Sequence, residues 1–84
     1  MTTREIEQRL KRIVVEKLGA EPEEVTRETH FRNDLGADSF KEIELIMDVE
    51  AEFNIHPEIP DDEFQNNSFT FEKLLKIVQK YAEF

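Results

Sequence analysis

The sequence predicts an all-α fold, a small four-helix bundle of three main helices and one short one, on three observations. Apolar residues recur at three- and four-residue intervals in three separate runs, the spacing of one helix face. Glycine and proline stand between those runs and never inside them. No stretch alternates apolar and polar residues with the period of two that a half-buried strand requires. At 84 residues the chain has the size of one domain spanning 1–84, and with 38% apolar against 37% charged residues its core is thin.

Ile6, Leu10, Ile13, Val14 and Leu18 share one face of a first helix predicted from Arg4 to Leu18. Thr2 and Glu5 have capping-box spacing at its start, and Gly19 and Pro22 end it. A connection of about twenty residues follows, ending at Asp38, a length that inside a compact domain marks a packed or functional loop. Val25, Phe31 and Leu35 are its candidate anchors to the core.

The second main helix is predicted over Ser39 to Phe53. Its projection gathers Phe40, Ile43, Ile46, Met47, Val49 and Phe53 into one broad apolar arc, opposite a polar stripe of Lys41, Glu44, Asp48 and Glu52. Leu45 falls near the stripe and is expected to be partly exposed. Pro57 and Pro60 then forbid a continuous helix. Pro60 suits the first position of a short helix from Asp61 to Gln65, whose acids complement the positive end of its dipole. Asn66-Asn67-Ser68 reads as a turn, and Thr70 is placed to cap a last helix over Phe71 to Glu83. That helix would turn Phe71, Leu74, Leu75, Val78 and Ala82 inward.

Charge and composition narrow the function. The net charge is -9, but residues 1–20 carry five bases against three acids, whereas residues 34–63 carry eleven acids and one base, Lys41. A block so acidic repels nucleic acid and anionic lipid and steers toward basic protein surfaces. There is no cysteine, so a disulfide framework and a thiolate metal site are both excluded. His30 and His56 stand apart, and the calcium-loop spacing that Asp34 and Asp38 begin fails at Leu45, where a glutamate is needed. No metal site is expected. No apolar run reaches signal or transmembrane length, so a cytoplasmic protein without membrane insertion is expected, and a monomer.

Ser39 is the candidate for chemistry. A serine that is to be esterified must be exposed and near groups that handle phosphate, and the free N–H groups of a helix start supply that setting. Gly36 permits the tight turn before it, and Asp38 sets a carboxylate beside the hydroxyl. On local grounds alone a plainer role fits better: Ser39 and Glu42 have the S-x-x-E spacing of a capping box. A hydrolase is disfavoured, since Ser39 has no G-x-S-x-G elbow and no histidine placed nearby in sequence.

The run Phe31-Arg32-Asn33-Asp34-Leu35-Gly36-Ala37-Asp38-Ser39 resembles the loop-to-helix segment of bacterial acyl carrier proteins. Glu44-Leu45-Ile46-Met47, Glu50 and Phe53 continue the likeness, as do Glu58-Ile59-Pro60-Asp61, Lys17-Leu18-Gly19 and Val25-Thr26. It covers roughly residues 4–65, with a weaker match beyond. The resemblance implies a non-enzymatic carrier of acyl-carrier fold, with 4'-phosphopantetheine on Ser39 and acyl cargo held as a thioester. Asp38 would assist the metal and the donor when a separate phosphopantetheinyl transferase, using Mg²⁺, installs the arm from coenzyme A. Glu44, Asp48 and Glu50 would meet basic docking patches on acyl-processing enzymes of fatty-acid, lipid or polyketide pathways, with Met47 adding an apolar contact. Exposed pairs of this kind are worth about 0.2–1 kcal/mol each, so the encounters would be weak and salt-sensitive.

Several residues depart from that pattern. Phe40 stands where leucine is usual and Lys41 where an acid is common, both beside the partner surface. Asn54-Ile55-His56-Pro57 and the turn Gln65–Phe69 look extended. Phe64, Phe69 and Phe71 gather where the family closes over its acyl pocket, although ordinary core packing accounts for them as well. These departures suggest a specialised carrier. The alternatives are an aminoacyl or peptidyl carrier, whose G-G-x-S form Gly36-Ala37-Asp38-Ser39 lacks, and an adaptor that docks partners without being acylated.

Overall fold

The computed structural model describes residues 1–56, 58–64 and 69–82. Among the described residues four α-helices carry the fold: α1 (Thr3–Leu18), α2 (Phe31–Leu35), α3 (Ser39–Phe53) and α4 (Phe71–Tyr81). Two single 3₁₀ turns, Pro22–Glu24 and Asp61–Glu63, lie in the connections. Among the described residues there is no strand, only an isolated antiparallel bridge between His30 and Thr70.

Helix α1 starts and stops where its end signals stand. Thr2 Oγ1 accepts from the Glu5 amide at 3.2 Å, and Gly19 closes the helix at φ 67°, its amide donating to Val15 O. Ile6, Leu10 and Val14 are buried; Ile13 and Leu18 are half-buried along the same face. The helix packs on α3 and α4. Lys17–Asp48 at 3.1 Å, Arg9–Glu52 at 3.4 Å and Arg12–Glu52 at 4.0 Å join α1 to α3 along one side.

The long connection is not one loop. Thr29, buried to 4% exposure, donates its hydroxyl to Glu24 O and accepts from the Thr26 amide. Beyond it, Phe31 N donates to Phe69 O, Phe71 N to Thr29 O and Glu72 N to Arg27 O, which fastens the segment to the head of α4. Val25 and Phe31 are buried and Leu35 half-buried, as expected of anchors. The five-residue helix α2 is an addition to the predicted elements; one and a half turns are too short to show a helical period in sequence.

Helix α3 has the predicted bounds but a different orientation. Its buried residues are Glu42, Leu45, Ile46, Val49 and Phe53, an i, i+3, i+4, i+7, i+11 stripe. Leu45, expected to be partly exposed, is completely buried, whereas Phe40, Ile43 and Met47, expected in the apolar arc, are exposed to 67%, 39% and 61%. The apolar arc is wider than the core face, and the core takes its far edge, where Leu45 and the carboxylate of Glu42 lie.

After α3, Asn54 adopts φ 54°, Ile55 and Ile59 are buried, and Glu50 Oε2 accepts from the Ile59 amide at 2.7 Å. The expected short helix is a single 3₁₀ turn ending at Glu63, with Pro60 as its cap rather than its first residue. The predicted turn Asn66-Asn67-Ser68 lies outside the described residues, as does Pro57. Thr70 caps α4 as expected, accepting from the Lys73 amide at 3.2 Å. Helix α4 ends at Tyr81, buries Ile77 in addition to Phe71, Leu74, Leu75 and Val78, and leaves Ala82 half-buried as its C-cap. Phe31 and Phe69 meet edge to face at 4.8 Å, and Phe64 tilts against Phe69 at 5.9 Å, so the clustered rings are core.

Candidate functional site

The site begins at the turn between α2 and α3. Gly36 ends α2 at φ 71°, in the left-handed region that residues with a Cβ avoid, and its amide donates to Arg32 O. Ala37 is buried, and its amide donates to Phe31 O, which pins the turn to the core. Asp38 then caps α3, its Oδ1 accepting from the Lys41 amide at 2.8 Å. This displaces the capping box expected of Ser39 and Glu42. Ser39 is the first helical residue, one place past the cap, and its side chain is exposed.

What touches the Ser39 hydroxyl is a cation. Arg32, on α2, donates from a terminal nitrogen to Ser39 Oγ at 3.1 Å. The same guanidinium donates to Glu42 Oε1 twice, from Nε at 3.0 Å and from the terminal nitrogen at 2.8 Å. Glu42 is only 1% exposed and Arg32 about one-third exposed, at 35% of its side chain. The hydrogen bond to Glu42 raises the Arg32 pKa above its already high value, with the attraction of the two charges adding to it. Among the described residues Glu42 Oε2 is buried with no hydrogen-bond partner, and there Arg32 is what answers this carboxylate. A buried charge left unpaired is strongly unfavourable, which holds the guanidinium in place.

Sequence reasoning passes over this pairing. Its only trace is that Glu42 shares a helical stripe with Leu45, Ile46 and Val49, an acid on a core face, while its partner lies ten residues back on another helix.

The remaining predicted site residues fall into two groups. Phe40, Lys41 and Met47 are exposed on α3, and Ile43 joins Phe40 and Met47 in an outward apolar strip that starts beside Ser39. The acids are more occupied than a solvated face implies. Asp48 pairs with Lys17, Glu44 lies 3.5 Å from Lys41, and Glu50 holds the Ile59 amide. An open groove of about 280 Å³ runs between α3 and the second 3₁₀ turn, lined with Ile43, Ile46, Met47, Ile59 and Phe64 and flanked by Glu50, Glu58 and Asp61. Among the described residues no cluster of three or more His, Asp or Glu side chains is arranged to hold a metal ion, and no helix is long and apolar enough to cross a membrane.

The exposed hydroxyl on the first turn of a fifteen-residue helix, with a fixed guanidinium against its oxygen, suits a phosphate ester. A family model described as "Phosphopantetheine attachment site" matches residues 8–78, most of the chain.

Proposed function

The chain belongs to the phosphopantetheine attachment family, a carrier domain rather than a catalytic one, and we propose that Ser39 bears the arm and that its cargo is acyl. The observation that carries this reading is the Ser39 hydroxyl itself, exposed at the head of α3 and already in contact with a cation. The arm supplies a terminal thiol, which this cysteine-free chain otherwise lacks, for holding cargo as a thioester.

Loading of the arm forms a bond from Ser39 Oγ to phosphorus. It breaks the pyrophosphate bond of coenzyme A, releases adenosine 3',5'-bisphosphate, and passes the serine proton to a base of the transferase. Mg²⁺ belongs to that transferase reaction. Asp38, the residue before Ser39, has Oδ1 engaged as the helix cap, and its carboxyl group would assist the donor and metal. An acyl rather than aminoacyl cargo is supported by Gly36-Ala37-Asp38-Ser39, which lacks the G-G-x-S form of peptidyl carriers. Docking of partner enzymes falls to the outward strip of Phe40, Ile43 and Met47 with Lys41 at its edge, and acids such as Glu44 rim it. Lys41 and Phe40 would then set which enzymes accept the carrier, in keeping with a specialised cytoplasmic pathway.

Intact mass after incubation with coenzyme A, Mg²⁺ and a broad-specificity phosphopantetheinyl transferase tests the assignment. One arm's mass should be added to the wild type and none to Ser39→Ala. No gain in the wild type, or an equal gain in Ser39→Ala, would refute Ser39 as the attachment point and leave the adaptor reading.

A further inference from the structure

We infer that Arg32 is the phosphate-positioning residue of this carrier: fixed from behind by Glu42, it holds the phosphodiester that joins the arm to Ser39 and so sets the direction in which the arm leaves the protein. The inference rests on Ser39 being the attachment point and adds to it a residue of this chain that acts on the attached group.

The geometry assigns each edge of the guanidinium. Nε and one terminal nitrogen face the buried carboxylate of Glu42 at 3.0 and 2.8 Å. That same terminal nitrogen also reaches Ser39 Oγ at 3.1 Å, from the solvent side of the pair. An arginine has five N–H donors in a rigid fork, so two spent on Glu42 leave others for an anion. On modification, Ser39 Oγ becomes an ester oxygen and a poorer acceptor, while the non-bridging oxygens that carry the negative charge arrive two bonds away from it. Charge-assisted hydrogen bonds to phosphate are stronger than bonds to a neutral hydroxyl, so the contact with Arg32 gains on modification. Leaving Glu42 to follow the arm outward would strand a buried carboxylate whose Oε2 already lacks a partner. The cation therefore stays and the phosphate comes to it.

The charge balance agrees. In the unmodified protein Arg32 and Glu42 form a closed pair, and the next nearby acid, Asp38, adds only a lesser attraction on Arg32. The phosphodiester then adds one negative charge at the head of α3, where the helix dipole and Arg32 both oppose it. Without Arg32 the same charge would stand near Glu42 and Asp38 with only the helix dipole to oppose it.

Phosphorus NMR of the modified protein, combined with the unfolding midpoints of modified and unmodified forms, tests this. The phosphodiester resonance of the wild type should be displaced from that of a short phosphopantetheinylated peptide, and modification should raise the midpoint. In Arg32→Gln/Glu42→Gln, which removes both charges together and leaves no stranded carboxylate, the resonance should return to the peptide value and the rise should vanish. Arg32→Lys, which keeps the charge but not the fork, should fall between. A double variant that carries the arm yet shows the wild-type resonance and the wild-type rise overturns the role of Arg32 and leaves Ser39 as the attachment point untouched. A wild type that gains no mass overturns both.

Discussion

Helices α3 and α4 are neighbours in length and role, yet they obey different rules. Helix α4 is a plain amphipathic element: Phe71, Leu74, Leu75, Ile77 and Val78 are buried, and the charged residues Glu72, Lys76 and Lys80 are exposed. The N-terminal part of α3, as far as Met47, inverts that order, with the carboxylate of Glu42 inside and the ring of Phe40 and the thioether of Met47 outside. Inversion costs free energy on both sides, since a buried charge needs a partner and exposed apolar area forgoes burial. A helix that serves only the core has no reason to accept it. The inverted turns flank Ser39, and beyond Leu45 the buried stripe of α3 becomes as regular as that of α4.

The largest effects should come from the depth of the two core stripes. Leu45 and Leu74 are both fully buried, so Leu45→Ala and Leu74→Ala should each lower unfolding stability by about 3 kcal/mol. Phe40→Ala, although it removes more apolar surface, should change stability by no more than about 0.5 kcal/mol because its ring is already in water. Urea unfolding of the three variants measures this directly. A cost at Phe40 that rivals the cost at Leu45 would show that α3 faces the core with the arc its sequence suggests.

That same contrast explains what was legible. The bounds of α1 and the start of α4 follow from end signals that act locally: Thr2, Gly19 and Thr70 each satisfy backbone groups within a few residues, whereas α3 is capped by Asp38 and not by the expected Ser39. The inward face of α4 follows from periodicity because nothing there competes with burial, although Ile77 widens it. The face of α3 does not follow, because gathering its apolar residues into one arc draws Phe40, Ile43 and Met47 inward and leaves Leu45 near the polar stripe. Glu42 can face inward only because Arg32 waits on α2, a helix of five residues that shows no period of its own. The neighbours of Ser39 in sequence mark it as the candidate; the cation against its oxygen has no such mark, because it arrives through the fold.

Smaller effects should separate the caps from the chemistry. Asp38 and Thr70 cap α3 and α4 in the same way, each accepting from the amide three residues on, at 2.8 and 3.2 Å. Asp38→Ala and Thr70→Ala should therefore each cost about 1 kcal/mol of stability. They should part company in the modification assay. Loss of Asp38 is expected to slow loading of the arm by the transferase, and loss of Thr70 to leave the rate unchanged. Equal loading rates for the two variants would reduce Asp38 to a cap and nothing more.

The smallest effect concerns how the far end of α4 is held. There the fastening is electrostatic and titrates. Lys80 donates to Glu63 Oε2 at 2.8 Å, and Tyr81 donates its hydroxyl to the same oxygen, joining the end of α4 to the second 3₁₀ turn. The hydrogen bond from Lys80, then that from Tyr81, lowers the Glu63 pKa below its ordinary 4.5. A carboxylate depressed on folding contributes stability above its unfolded value, and that contribution is lost as pH falls below 4.5 toward the folded value. Lys80 and Tyr81 are both raised by their hydrogen bonds to Glu63, above 10.5 and 10.0. Their contribution is complete below those values and is lost as pH rises through the raised ones. Glu63→Gln should flatten both arms of the profile of unfolding midpoint against pH. Part of each arm should survive, because Glu7 is lowered by its hydrogen bond from Arg27 and Lys17 is raised by its hydrogen bond to Asp48. Lys80 is exposed and Glu63 and Tyr81 are half-buried at the surface, where water still screens them, so the change should be a modest loss of slope and not a shift of the whole curve. An unaltered alkaline arm in Glu63→Gln would mean that the end of α4 is held by its apolar face alone, as its middle is.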